Sequence, residues 1–399
     1  MLKKSVFAIV AILLYLISFG GSVLPNSVYA QDNSGYTSED IENIVHDSLE
    51  AIDFSNLEDA LNNLTQIPNG LFENSSFYDK VVSFINGDVH LDIGAVFEAV
   101  LSLFFDNSLQ IIPILVMIIA VAILCSLLSN LKSAFSGGGV KDIVHFVCYG
   151  AIIIIVASLI ATCISECANV LGSLQKQMQA IFPVLLTLIT AIGGLTTVSV
   201  FQPMVIILSS GVVTLFNVVL LPLFLISFIF TIANNLSNNA YFAKFADVSQ
   251  SIFKWAIGII FMLFFAFMSI NGIVAGSYDG LSIKTAKYSM KSIIPYIGGY
   301  MSEGIDIVLA SSALIKNAVG ACGLILLIAT IAVPLIKLII IMLGLKITGA
   351  ILEPITDKRI SNFVFSVGKI LKMLVACIVS VAIMYFLSVG MLMSVCNLF

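Results

Sequence analysis

Charged residues are scarce in this chain, and their scarcity excludes a soluble globular protein. Only 10% of the 399 residues are Asp, Glu, Lys or Arg, whereas 59% are hydrophobic and the mean hydropathy is +1.10. Soluble domains carry about 25% charged residues. There is one Trp and one Arg, Arg359. This composition predicts an all-α, polytopic helical membrane protein.

Charge is absent altogether between Ile181 and Ala233, where the chain contains no Asp, Glu, Lys, Arg or His. Since one membrane span needs about 20 apolar residues, we expect two passes between Ile181 and Asn235. Proline and glycine interrupt this stretch and a later one. The predicted helix breaks are Pro183, Gly193, Gly194, Pro203, Pro222, Pro295 and Pro334. Backbone groups freed at such breaks need partners in protein or water, so these segments either pack inside a bundle or line a path.

The N-terminus has the order of a secretory signal peptide. Two lysines precede an apolar run, and Val28-Tyr29-Ala30 resembles a small-residue cleavage site. We predict cleavage after Ala30, which leaves Gln31 as the first mature residue; the alternative is an uncleaved first span. The predicted regions are a signal peptide (1–30), an extracytoplasmic region (31–108) and a multi-span membrane domain (109–399).

The extracytoplasmic region is small, acidic and helical in pattern. It holds fifteen Asp and Glu residues and a single Lys, Lys80. Apolar residues at helical spacing predict short helices, among them 56–64 and 92–105, the last lying on the membrane surface before the first span. A region of this size buries little core, so we expect it to dock on the membrane domain or on a partner.

The membrane domain is predicted to contain about eight spans, with residues 31–108 outside. Eleven cationic residues then fall in inner segments and five in outer segments, as the positive-inside rule requires. The inner ones are Lys132, Lys141, Lys284, Lys287, Lys291, Lys316, Lys346, Lys358, Arg359, Lys369 and Lys372, and the outer ones are Lys80, Lys176, Lys244, Lys254 and Lys337. Lys284, Lys287 and Lys291 recur at helical spacing and are expected at the cytoplasmic headgroups. Two short spans meet near Pro334, where one long kinked helix is the alternative.

Polar residues open the sixth predicted span. Lys316 and Asn317 stand among small residues that allow helices to approach closely. One hypothesis is that they bind a neighbouring helix or another subunit, with Glu303 and Asp306 as candidate partners of Lys316 on the same side of the membrane. The other is that Lys316 snorkels to the headgroups.

Few residues suited to catalysis are present. The apolar cores of the spans hold no His, Asp or Glu, the G-x-x-x-x-G-K-[ST] phosphate loop is absent, and no Cys/His cluster predicts a metal or cofactor. No basic patch faces anything but lipid headgroups, so nucleic-acid binding is not expected. A weak match at an offset of 112 residues is more simply chance than an inverted transporter repeat. A membrane platform or conduit is the first hypothesis, and a permease subunit moving small solutes is the alternative.

Several stretches, in order and at matching spacing, carry a family resemblance. They are Leu128–Phe135, Phe182-Pro183 with Ala191–Gly194, Val200–Pro203, Lys284–Lys287, Ile294-Pro295 and Leu314–Gly320. Together they resemble the stage III sporulation protein AE family of endospore-forming bacteria, from the signal peptide to the C-terminus. Glu353-Pro354 departs from the Gln-Pro pair expected there.

The resemblance implies a non-enzymatic membrane subunit of the channel between mother cell and forespore. The implied location is the mother-cell (outer forespore) membrane. The implied partners are the other stage III A proteins, including a sister ATPase subunit, and the forespore protein Q across the gap, in a secretion-like complex. The family has no established catalytic residues, so none is carried over.

Overall fold

A computed structural model describes residue 49 and residues 54–62, 76–86, 93–133, 138–236, 242–293 and 298–395. For some of these, residues 271–293 and 298–307 among them, the description covers the backbone alone. Each described element is helical, which confirms the predicted all-α class. The predicted cleavage site at Ala30 and Gln31 lies outside the described residues, and so does Pro295.

Long helices dominate the chain. They are α1 (Ser55–Asn62), α2 (Phe77–Asn86), α3 (Ile93–Ser133), α4 (Gly138–Ala191), α5 (Leu195–Ile206), α6 (Leu221–Leu236), α7 (Ala243–Ile293), α8 (Gly298–Leu352), α9 (Lys358–Ile370) and α10 (Lys372–Ser394). At 1.5 Å per residue the 55 residues of α8 extend over about 80 Å, whereas the hydrocarbon core of a bilayer is about 30 Å thick.

Six helical stretches in the described part of the chain are long and apolar enough to cross a membrane. They are Leu101–Leu128, Phe146–Ala191, Leu195–Asn235, Ala243–Ile270, Val308–Leu352 and Lys358–Ser394. About eight were predicted, and the difference arises at two places. The beginning of the charge-free stretch, Ile181–Ala191, continues α4, so the stretch contributes one further candidate span, Leu195–Asn235, where two passes were predicted. The two short spans around Pro334 form one helix. The number of crossings stays a prediction.

Pro183 and Pro334 were expected to break helices, and both lie inside continuous α-helices. A proline removes one backbone hydrogen bond and strains the preceding turn, at a cost of about 3 kcal/mol. Packing on the neighbouring helices outweighs that cost here, because 67% of the most apolar part of α8 is buried. The long-helix alternative therefore describes the region around Pro334.

The chain reverses direction at Gly193-Gly194. Gly193 adopts a φ of 90°, which favours glycine. The Gly194 N–H bonds the Ile189 carbonyl and the Gly193 N–H bonds the Thr190 carbonyl, both at 2.9 Å. These bonds form a Schellman motif, which ends α4 and returns the chain as α5.

Pro203 and Pro222 do not break the next helix, but the helix widens beside them. Residues Ile207–Val212 and Phe216–Leu220 are π-helical, with a short α turn at Val213–Leu215 between them. The ring of Pro222 would collide with the carbonyl of Val218, four residues earlier. Widening at Phe216–Leu220 relieves that collision and keeps α5 and α6 on one path.

The centre of the bundle is a helical hairpin formed by α8 with α9 and α10. At one end Gly349 of α8 contacts Phe365 of α9, and at the other Lys316 of α8 contacts Val395 beyond α10. The two arms therefore run antiparallel between these two contacts. In their most apolar parts, 67% and 72% of the residues are buried, against 22% in α3 and 17% in α7. The hairpin forms the core, and α3 and α7 lie at its periphery.

Glycine and serine bring the arms of this hairpin into backbone contact. A Cβ placed on Gly349 would lie 2.8 Å from the backbone N of Phe365. The Ser361 hydroxyl donates to the Gly349 carbonyl at 2.8 Å, and Asp357 caps α9 by accepting from the Arg359 N–H at 3.2 Å. Small residues and interhelical hydrogen bonds are the usual means by which apolar helices associate in lipid.

The short N-terminal helices pack on the long ones. Phe77 and Val81 of α2 are fully buried, and Leu57 of α1 is nearly so. Helix α1 packs on α4, and α2 packs on α8. Helix α3 runs unbroken through the predicted boundary between residues 108 and 109.

Charge placement differs from the predicted sidedness in α7 and at Lys316, which was predicted to be inner like Lys358 but lies at the opposite end of the hairpin. Tyr149 near the start of α4 contacts both Ile232 near the end of α6 and Phe363 of α9, so the start of α7 lies at the α8–α9 end of the bundle. Lys254, predicted to be outer, lies near Lys372, predicted to be inner. Because α7 is one continuous helix, its last turns reach the opposite end, to which residues 284–291 belong.

This arrangement yields a labelling prediction. In a single-Cys series, Lys287→Cys should react with an impermeant reagent on the side where Tyr78→Cys reacts, since both positions lie away from the α8–α9 end. Helix α2, which carries Tyr78, packs on α8 with Lys80 near Cys322, in the first half of α8. Lys358→Cys at that end should be labelled only after the membrane is opened. Joint labelling of Lys287→Cys and Lys358→Cys from one side would contradict it.

A second prediction concerns the hairpin contact. Gly349→Ala should lower the free energy of unfolding by about 1–3 kcal/mol, because the added Cβ overlaps the Phe365 backbone. Gly390→Ala is the matched control: its Cβ meets nothing within 4 Å, and it should be neutral or raise stability by about 0.5–1 kcal/mol. Thermal unfolding in detergent measures both. Equal effects at the two glycines would show that the contact is not tight.

Candidate functional site

Lys316 is fully buried and does not snorkel. Its Nζ donates to the Val395 carbonyl, directly after the last turn of α10. The last carbonyls of a helix lack intrahelical partners, and that end of the helix carries partial negative charge. A buried ammonium group can donate to such a carbonyl and can offset the partial negative charge, so Lys316 fixes the end of α10 against α8. Of the two hypotheses for Lys316, the neighbouring-helix contact describes this geometry.

The structure says less about the other predicted docking residues, Asn317, Glu303 and Asp306. Asn317 follows Lys316 on α8 and is half-buried. Glu303 and Asp306 lie in the first turns of α8, where the side chains are outside the described set. The structure therefore gives Lys316 a described partner in Val395 and leaves the docking roles of the other three residues as predictions.

An ion pair joins α4 and α8 in the middle of their contact. The Lys337 Nζ donates to Glu166 Oε1, with about a third of each side chain exposed. Lys337 was predicted to lie in an outer segment, and its pairing with Glu166 was not predicted. A lone Lys inside an apolar stretch was itself a signal, because a charge within lipid requires a partner.

A second polar contact lies further along the same two helices. The Gln177 Nε2 donates to Thr330 Oγ1, which in turn donates to the Leu326 carbonyl at 2.8 Å. Gln177 is 1% exposed. Contacts of Glu166 with Lys337, Gln177 with Thr330 and Ile181 with Gly323 follow in reverse order along the two helices, so α4 and α8 are antiparallel.

A small pocket lies where α4, α5 and α10 meet. Its volume is about 10 Å³, and it is lined by Phe182, Phe201, Met204, Val205, Leu208, Ser388 and Leu392. That volume admits about one water molecule. Within the described part of the chain, no three His, Cys, Asp or Glu side chains lie close enough together to hold a metal ion. The six described cysteines are free thiols.

These polar groups join helices to one another. Lys316, Lys337 and Gln177 each connect two helices of an apolar bundle. The arrangement defines a class of protein, a polytopic α-helical membrane protein held together by interhelical polar contacts and close glycine packing.

The particular family follows from comparison. A sequence model of the stage III sporulation protein AE family matches residues 75–396, and the chain belongs to that family. The chain is also similar to stage III sporulation protein AE of Bacillus subtilis (strain 168), with 26% identity over 319 residues, or 80% of each chain. No solved structure matches.

Membership makes this a sporulation-related membrane protein and confirms the family resemblance of the sequence. The family is not a known enzyme family. It implies association with other sporulation proteins.

The ion pair between α4 and α8 can be tested by a double-mutant cycle. Glu166→Gln and Lys337→Met should each lower stability, and the double variant should lose about 1 kcal/mol less than the sum, because the two charges interact with each other. Thermal unfolding in detergent at two salt concentrations measures the coupling. Strict additivity would mean that the side chains do not pair.

Proposed function

We propose that the protein is a non-enzymatic integral membrane subunit of the channel between mother cell and forespore, where it serves as platform or conduit. The observation that carries the proposal is the closely packed centre formed by α8, α9 and α10. A platform requires helices that keep fixed positions while partners act on them. Backbone contact at Gly349 and the buried Lys316 cap both limit relative movement of the two arms.

The π-helical stretches favour a pathway role at one particular helix. Single-turn π-helical stretches in α-helices are frequent at functional sites. Those at Ile207–Val212 and Phe216–Leu220 lie beside exposed residues such as Ile206 and Val218. In a conduit, this face of α5 and α6 would contact the next subunit, which would supply hydrogen-bond partners for the irregular backbone.

A permease subunit for small solutes is the alternative, and the described pocket does not favour it. Small-molecule sites usually have volumes of about 300–1,000 Å³. The pocket lined by Phe182 and Phe201 has about 10 Å³. This pocket is therefore too small to be the solute site of a permease.

The proposed partners are the other stage III A proteins, including the sister ATPase subunit, and the forespore protein Q across the intermembrane space. The proposed location is the mother-cell (outer forespore) membrane, with residues 31–108 outside. Asn317, Glu303 and Asp306 are the proposed docking residues, since they belong to the first half of α8.

Co-purification from sporulating cells tests this proposal. Wild-type protein should bring down the other stage III A proteins, and Asn317→Leu should reduce their yield about threefold, as expected for loss of one interhelical polar contact in lipid. Ile229→Leu, a change on the exposed face of α6, is the control and should have no effect.

Liposomes containing the purified chain separate the two functions. A platform or interfacial conduit should give no saturable flux of any single solute without its partners. Autonomous, saturable flux would favour the permease and contradict the proposal.

A further inference from the structure

Four lysines from four helices converge near the α8–α9 end of the bundle. They are Lys254 of α7, Lys346 of α8, Lys369 of α9 and Lys372 of α10, here called the lysine cluster. A Cβ placed on Gly368 would lie 3.0 Å from both the backbone N and Cγ of Lys346, so Lys346 lies directly beside Gly368, the residue before Lys369. Lys346 and Lys369 are within electrostatic range of each other. Lys372 is within electrostatic range of the other three.

The four lysines of the cluster are not paired with a carboxylate in the part of the chain that the structure describes. None of its four side chains takes part in an ion pair or hydrogen bond there. Asp357 uses its side chain to cap α9. Four cations held close together by packed helices repel one another, and an anion placed among them lowers that repulsion. The unpaired cluster therefore points to an anionic ligand.

The surroundings of the cluster identify the kind of anion. Lys254, Lys369 and Lys372 are exposed. Trp255 follows Lys254 and is 74% exposed, and Ile347 follows Lys346 and is 58% exposed. A ligand that combines an anionic group with a long apolar part can contact both the exposed lysines and the exposed apolar side chains beside them. Trp at the edge of an apolar stretch is also typical of the headgroup level of a bilayer.

We propose that the lysine cluster binds the phosphate of an anionic phospholipid headgroup, with acyl chains lying along the apolar surface beside Trp255 and Ile347. Basic pockets between membrane helices on the cytoplasmic side recognise anionic headgroups by this chemistry. The cationic residues of the α8–α9 end place the site in the cytoplasmic leaflet. The proposal does not rest on the role in sporulation.

Trp255, the chain's one tryptophan, reports directly on the site. The full-length protein is placed in vesicles of phosphatidylcholine that contain a minor fraction of brominated phosphatidylglycerol, and bromine quenches the fluorescence of a nearby indole. The wild type should be quenched more by this lipid than by the same fraction of brominated phosphatidylcholine. Each Lys→Gln change in the cluster should lower the apparent affinity about fivefold.

Matched variants separate an effect on lipid binding from an effect on folding. Lys369→Arg should retain selective quenching, Lys369→Gln should weaken it, and Lys176→Gln, an exposed lysine of α4 outside the cluster, should leave it unchanged. Equal quenching of the wild type by the two brominated lipids would overturn the proposal. Selective quenching that persists when all four lysines are Gln would overturn it too.

Inorganic phosphate distinguishes the lipid from a soluble anion. Added phosphate should not abolish the selective quenching, because the acyl chains contribute to binding. If phosphate binds to the cluster while phosphatidylglycerol shows no preference, the site is for a soluble anion and the lipid proposal is wrong.

Discussion

A polar group buried among apolar helices has no water to bond with, and the contacts of this fold follow from that constraint. The Lys316 ammonium donates to the open carbonyl end of α10, the Lys337 ammonium to Glu166, and the Gln177 amide to Thr330. Each contact joins two helices that the apolar surface alone would leave free to slide. The polar residues therefore set the register of the bundle.

Close packing also contributes to the association of the helices. Lipid is as apolar as leucine, so helices gain little by hiding apolar side chains from it and depend on tight approach instead. Gly349 permits that approach at the α8–α9 crossing, and Gly320 and Gly323 permit it along α8. The result is a buried central hairpin with α3 and α7 around it, an arrangement suited to a protein that holds others in place.

The distribution of charge links this packing to the membrane. Lysines of α7, α8, α9 and α10 come together because α7 packs on α8 and α10, and α8 packs on α9. Packing places them together before any ligand is bound, so the proposed anion site is preorganised. In the same arrangement the last turns of α7 lie opposite the α8–α9 end, whereas counting the spans along the sequence predicted both on the inner side.

The sequence by itself determined the helical class, the apolar character, the turn at Gly193-Gly194 and the family, because composition, glycine conformation and short motifs are local properties. The tertiary structure decided whether Pro183 and Pro334 break their helices, since packing along α4 and α8 outweighs one lost hydrogen bond. It also decided that Lys316 is buried against Val395, that Glu166 meets Lys337, and that Lys254 joins Lys372. Lys316 and Val395 are 79 residues apart, and Glu166 and Lys337 are 171 residues apart. Only the arrangement of whole helices brings such distant positions together.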